Sequence, residues 1–136
     1  MDATRIIAIR HGETSWNATG RIQGHTDIPL NATGQAQAQQ AAQALADETL
    51  AAIYSSDLQR AWQTAQALAT TTQTALYPEP GLRERCFGVF EGRTFAEVAQ
   101  SHPDDSHRWR KRDPHLVVPG GGESLLQLRE RIAATV

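Results

Sequence analysis

The sequence predicts an α/β domain: a mostly parallel sheet in a three-layer arrangement, with helices on both faces. Three observations carry this. The run Ile6-Ile7-Ala8-Ile9 is apolar throughout and rich in β-branched residues, the pattern of a strand buried on both faces. Behind Ser56, the residues Leu58, Ala61, Trp62, Ala65 and Leu68 repeat at helical spacing. Strand and helix patterns also alternate along the chain, which implies parallel pairing.

Taken in order, the apolar run stops at Arg10-His11-Gly12, so polar chemistry begins where the strand ends. From Gly12 to about Asn31 the chain carries Gly20, Gly24, Pro29 and many polar side chains. This reads as a long loop, a feature more often functional or disordered than incidental. A helix is expected from about Thr33 to Asp47, where Ala38, Ala41, Ala42 and Leu45 keep helical spacing. Ala51 to Tyr54 reads as a short strand. Ser56 with Gln59 forms a capping-box pattern for the helix that follows. Ala75 to Tyr77 is a third strand candidate, closed by Pro78 and Pro80.

Thr94 with Glu97 opens another capped helix that ends before Pro103, and Ser106 to Arg112 suggests a short helix. Gly120-Gly121-Gly122 marks a turn, and Ser124 with Gln127 caps a final helix with Leu125, Leu128 and Ile132 on one face. With few strands and a chain that ends inside an amphipathic helix, the expected organisation is one domain over residues 1–136 whose C-terminal elements are missing. A sheet cut short exposes an edge that a second copy could cover, giving a homodimer.

Composition narrows the function. Of 136 residues, 40% are hydrophobic and 21% charged, the balance of a globular chain rather than a disordered one. The net charge of −2 does not suggest a general nucleic-acid or membrane binder. The single cysteine, Cys86, has no internal partner and fits a reducing compartment. No apolar stretch is long enough for a signal peptide or a membrane span, so a cytoplasmic location is expected.

Several residues could carry chemistry. A histidine just past a buried strand lies where open α/β sheets bind ligands. The adjacent Arg10 can hold a phosphate or carboxylate through paired hydrogen bonds, and Gly12 would let backbone approach a ligand. Arg60 lies in the first turn of its helix, where a cation opposes the dipole but an anion is welcome. Arginine and terminal N–H groups there would make a second anion grip. Glu84, within Leu82-Arg83-Glu84-Arg85, is either an ion-pair partner or a general acid. Asn17, Gln23 and Gly24 are further candidate donors to phosphate oxygens. An ordinary loop histidine and solvated arginines are the competing readings of each residue alone.

Together these positions resemble one family. Arg10-His11-Gly12-Glu13-Thr14-Ser15-Trp16-Asn17, Arg21-Ile22-Gln23-Gly24, Asp27-Ile28-Pro29-Leu30 and Gly34 are similar to the opening signature of the histidine phosphatase (phosphoglycerate mutase-like) superfamily. Tyr54 to Ala61 resembles its second block and Glu84 to Gly92 its third. Pro119-Gly120-Gly121-Gly122-Glu123-Ser124 resembles the segment that opens a late helix. The resemblance implies a phosphomonoester hydrolase acting through a phosphohistidine on His11, with Arg10 and Arg60 clamping the phosphoryl oxygens and Glu84 as acid and base.

It implies a small phosphorylated metabolite as substrate, and neither metal nor other cofactor, because arginines supply the positive charge. Those arginines should also lower the His11 pKa. The family carries a second catalytic histidine in a His-Gly context near the C-terminus. His25, His102, His107 and His115 do not match it, so the chain is expected to stop about one strand short of it. Loss of one such donor typically costs about 10²–10³ in rate. A phosphoglycerate mutase and a non-catalytic phospholigand-binding module are the alternative readings. Arg108, Arg110, Lys111 and Arg112, beside Trp109, form a basic cluster that is either a solvated face or a second anion subsite.

Overall fold

A computed structural model describes residues 3–136. The α/β class is as the sequence predicts. β1 (Ile53–Ser55) and β2 (Leu76–Pro78) pair in parallel, with Ile53 opposite Leu76 and Tyr54 opposite Tyr77. The connection between them is α3 (Gln59–Thr72), whose Arg60, Thr64 and Leu68 are buried. Gln73 ends this helix in a left-handed conformation, φ 53°, a usual C-terminal stop. α2 (Ala32–Ala44) lies along α3 with Ala38 and Ala42 buried. Strand alternation sorts β1: Ile53 and Ser55 point inward and Tyr54 outward. Tyr54 stacks on Tyr77 at a centroid distance of 5.5 Å on that exposed face.

One strand expectation fails. Residues 3–10 have no strand assignment, and Ile6, Ile7 and Ile9 are exposed. No backbone hydrogen bond ties this segment to another among the described residues. The cause is pairing: β-branched composition favours extended backbone, but a strand exists only beside a neighbour that supplies N–H and C=O groups. Two further boundaries shift. The loop after Gly12 contains a short helix, α1 (Ser15–Ala18), closed by a capping box between Thr14 and Asn17. The expected short helix at Ser106 instead starts at Pro103: α5 spans Pro103–Arg110, using proline in the first turn, where its missing N–H costs nothing.

Capping also departs from expectation at α3. Its N-cap is Leu58, which makes no side-chain cap, and Ser56 Oγ accepts from the Leu58 N–H instead. The Gln59 N–H is capped by Asp27 Oδ1 at 2.7 Å, from the loop ahead of α2. The other two capping boxes form as expected. Thr94 and Glu97 open α4 (Phe95–Ser101), and Ser124 and Gln127 open α6 (Leu125–Thr135).

A second packed region lies around α4 and α5. Ile22, Phe90, Val98 and Val118 form its buried centre, with Phe87, Val89 and Trp109 against it. Trp109 stacks with Phe90 and Phe95, at 5.6 and 5.1 Å. Its basic neighbours Arg108, Arg110, Lys111 and Arg112 are exposed, and Arg108 pairs with Asp113 at 2.8 Å. They form a solvated face. No helix is long and apolar enough to cross a membrane among the described residues.

Gly12 and Gly34 join the loop to α2. A Cβ on Gly12 would strike the Gly34 backbone, and one on Gly34 would strike the Glu13 carbonyl. Gly12 therefore serves a close backbone contact with α2. In an ordinary helix interior Gly→Ala stabilises by about 1 kcal/mol. Here Gly34→Ala is expected to destabilise by about 1–3 kcal/mol through overpacking, read as a lower thermal unfolding midpoint. A raised midpoint would contradict the contact.

Candidate active site

The loop after residue 9 carries the first component. His11 is half-buried, and its Nδ1 lies 2.6 Å from its neighbour's carbonyl oxygen, Gly12 O. An oxygen acceptor there requires a proton on Nδ1, so in the neutral ring Nε2 keeps its lone pair. Burial lowers the His11 pKa most. The bond to Gly12 O opposes this, Arg60 and Arg10 lower it further, and Glu84 raises it. The expected lowering is present, but desolvation is its largest cause and the arginines are secondary. Arg10, Arg60 and Glu84 all bear on the charge of this one imidazole, which puts them within electrostatic reach of it. Groups from three separate stretches of chain thus act on the imidazole electrostatically.

Arg60 is the best-held member, only 2% exposed. Its Nη1 donates to Thr26 O at 2.8 Å and its Nη2 to Gly24 O at 2.5 Å. Glu84, Asp27 and Glu91 support its charge against the cost of burial. These carbonyls fix the plane of the guanidinium, and its remaining donors have no acceptor among the described residues. Thr64, one turn on, accepts from the Gly12 N–H at 3.0 Å and donates to Arg60 O at 2.7 Å. The helix terminus itself is less open than the sequence suggests, because Asp27 already occupies the Gln59 N–H.

The loop over 23–26 is braced from below by Glu91. Its carboxylate accepts from Thr26 N and Thr26 Oγ1, at 2.8 and 2.6 Å, and from Phe87 N at 2.9 Å. Burial raises its pKa, but the hydrogen bonds outweigh it and the net shift is downward, so it stays ionised. Gly24 has φ +57° and a Cβ there would enter the Glu91 carboxylate, so only glycine fits. Gln23 is buried with its Oε1 accepting from Thr14 Oγ1 at 2.6 Å, which leaves its amide Nε2 for a ligand. Asn17 Oδ1 is engaged by the Thr14 N–H at 3.0 Å. Arg10 is exposed. Burial pushes the Cys86 thiol up, which keeps it protonated and unreactive.

Glu84 is exposed, and its Oε1 accepts from the Arg85 N–H at 2.7 Å. Its backbone carbonyl receives two side chains that single-residue reasoning missed. His25 Nε2 lies 2.8 Å from it and Arg131 Nη2 3.1 Å. Neither His25 nor Arg131 carried a sequence signal for this contact. Among the described residues no three His, Cys, Asp or Glu side chains are grouped as ligands for a metal ion.

A family model described as histidine phosphatase superfamily (branch 1) matches residues 6–136. The chain belongs to this superfamily. Relatives of this histidine phosphatase chain include the metal-independent phosphoserine phosphatase of Arabidopsis thaliana, 42% identical over 132 residues, covering 96% of this chain and 56% of that protein. Phosphoglycerate mutase-like protein 4 of the same plant is 40% identical over 133 residues, covering 96% and 58%. A solved mycobacterial glucosyl-3-phosphoglycerate phosphatase, complexed with VO3, superposes with TM-score 0.82 at 34% identity, over 91% of this chain and 61% of that one. The chain thus spans 56–61% of the length of these three proteins.

Proposed function

We propose that this chain carries the phosphoryl-transfer centre of a phosphomonoester hydrolase acting on small phosphorylated metabolites. The observation that carries the reading is the 2.6 Å approach of His11 Nδ1 to Gly12 O, which calls for a proton on Nδ1. With Nδ1–H held by Gly12 O, Nε2 is the free nucleophile, and burial keeps the ring neutral. In the first step Nε2 attacks phosphorus in line as the P–O bond to the leaving alkoxide breaks, and Glu84 gives that oxygen a proton. In the second, Glu84 takes a proton from water, water attacks phosphorus, the N–P bond breaks and inorganic phosphate leaves. Arg10 and Arg60 hold the non-bridging oxygens, where charge accumulates. Asn17, Gln23 and the Gly24 backbone are the further donors this reading places around the phosphoryl group.

Relatives with phosphatase names and the one solved with VO3 support hydrolysis. A mutase-like name among them keeps transfer to a sugar acid as the competing outcome. The test is leaving-group dependence. Glu84→Gln is expected to slow esters with poor leaving groups by about 10²–10⁴-fold and activated aryl esters far less. Equal losses on both would remove Glu84 from proton transfer. Phosphate release from the unaltered chain without a bisphosphoglycerate primer identifies a phosphatase; a strict primer requirement identifies a mutase.

A further inference from the structure

We propose that Arg131, on α6, is a positioning residue for Glu84, acting with Glu123; this rests on the role given to Glu84 above. A guanidinium has five N–H donors, and every one of Arg131's is engaged. Nε donates to Glu123 Oε2 at 2.9 Å. Nη1 donates to Gly81 O and Arg83 O, both at 2.8 Å. Nη2 donates to Glu84 O at 3.1 Å and to Glu123 Oε1 at 2.8 Å. Three of these acceptors are backbone carbonyls leading up to and including Glu84.

Glu123 closes the other side. Its Oε1 also accepts from the Cys86 N–H at 2.8 Å, two residues past Glu84. The ion pair therefore grips the backbone before and after the acid, with the Glu84 side chain left outside it. The pair is held by mutual hydrogen bonds that raise the Arg131 pKa and lower that of Glu123, so both stay charged.

The alternative is that Arg131 only docks α6. Two observations favour positioning. α6 has no fully buried residue, so a large core does not depend on its exact seat. Its arginine also spends three of its bonds on backbone carbonyls within residues 81–84, beside a single exposed carboxylate, rather than on scattered surface acceptors. Such an arrangement fixes the direction in which an otherwise exposed side chain leaves the loop. Lysine, with a compact ammonium on a flexible stem, cannot span the same acceptors.

The experiment measures kcat for phosphate monoesters of graded leaving-group pKa with the unaltered chain, Arg131→Lys, Glu123→Gln, Glu84→Gln and the Arg131→Lys/Glu84→Gln pair. Arg131→Lys is expected to lower the rate on poor leaving groups about 10–100-fold, as a displacement near 1 Å does, and to leave activated esters within about threefold of the unaltered chain. It should add nothing to Glu84→Gln, since the two act through one proton. Glu123→Gln keeps the acceptors and is expected to show the same selectivity more weakly, so it decides the matter if Arg131→Lys does not fold. Uniform slowing of all esters by either variant, or full additivity with Glu84→Gln, overturns the proposal. If Glu84→Gln is itself unselective, or the unaltered chain releases no phosphate, the functional reading fails first and this one falls with it.

Discussion

His11→Ala is expected to abolish phosphomonoester turnover, with a loss on the order of 10⁶ in kcat, the scale seen when a nucleophile is removed from a preorganised site. The same variant should lose an acid-labile, base-stable phosphate that the unaltered chain traps on rapid quenching. Retention of the trapped phosphate in His11→Ala would move the nucleophile elsewhere. The pH profile gives a second check. An imidazole must be neutral to attack, and burial holds His11 below the ordinary value of 6.5. The sign follows: the neutral form persists to lower pH than for a solvated histidine, and activity is lost only as pH falls through the lowered pKa. The acidic limb of kcat/KM is therefore expected below 6.5, the limb of the free enzyme. A limb above 6.5 would mean that the imidazolium is favoured in the site.

Arg60→Ala is expected to cost about 10²–10³ in kcat/KM, the loss typical of one oxyanion donor. It should weaken inhibition by vanadate in parallel, because in the proposed clamp the guanidinium would meet the same oxygens in the trigonal-bipyramidal mimic. Arg60→Lys should recover little. The native fork fastens to Gly24 O and Thr26 O with two donors while offering others forward, and an ammonium has no plane with which to do both. The loss of those carbonyl partners also leaves acceptors unpaired in a buried place, at about 1–3 kcal/mol. Unfolding at the assay temperature is therefore measured alongside. A folded Arg60→Ala with kcat/KM within threefold of the unaltered chain would take Arg60 out of the phosphate clamp.

Much of this was legible in the chain itself, for physical reasons. Thr94-Glu97 and Ser124-Gln127 satisfy orphan N–H groups reciprocally within four residues, so local sequence is sufficient to specify the ends of α4 and α6. Ser56-Gln59 carries the same letters and fails, because Asp27, distant in sequence, supplies the cap of α3. The run Ile6–Ile9 has strand composition, yet pairing is a property of two segments and cannot be read from one. At the site, Arg10, His11, Arg60 and Glu84 stand out by residue type and block spacing. Arg131 does not, because a single helical arginine looks solvated until its five acceptors are seen. The fixed His11 tautomer likewise depends on a 2.6 Å approach to its neighbour's carbonyl that sequence does not express.

Thr64 links two of these groups through a single oxygen, receiving the N–H of Gly12, the residue after His11, and returning its own proton to the carbonyl of the buried Arg60. Imidazole and guanidinium are thereby slaved to one turn of one helix. One hydroxyl thus sets the spacing between the backbone beside the imidazole and the backbone that carries the guanidinium.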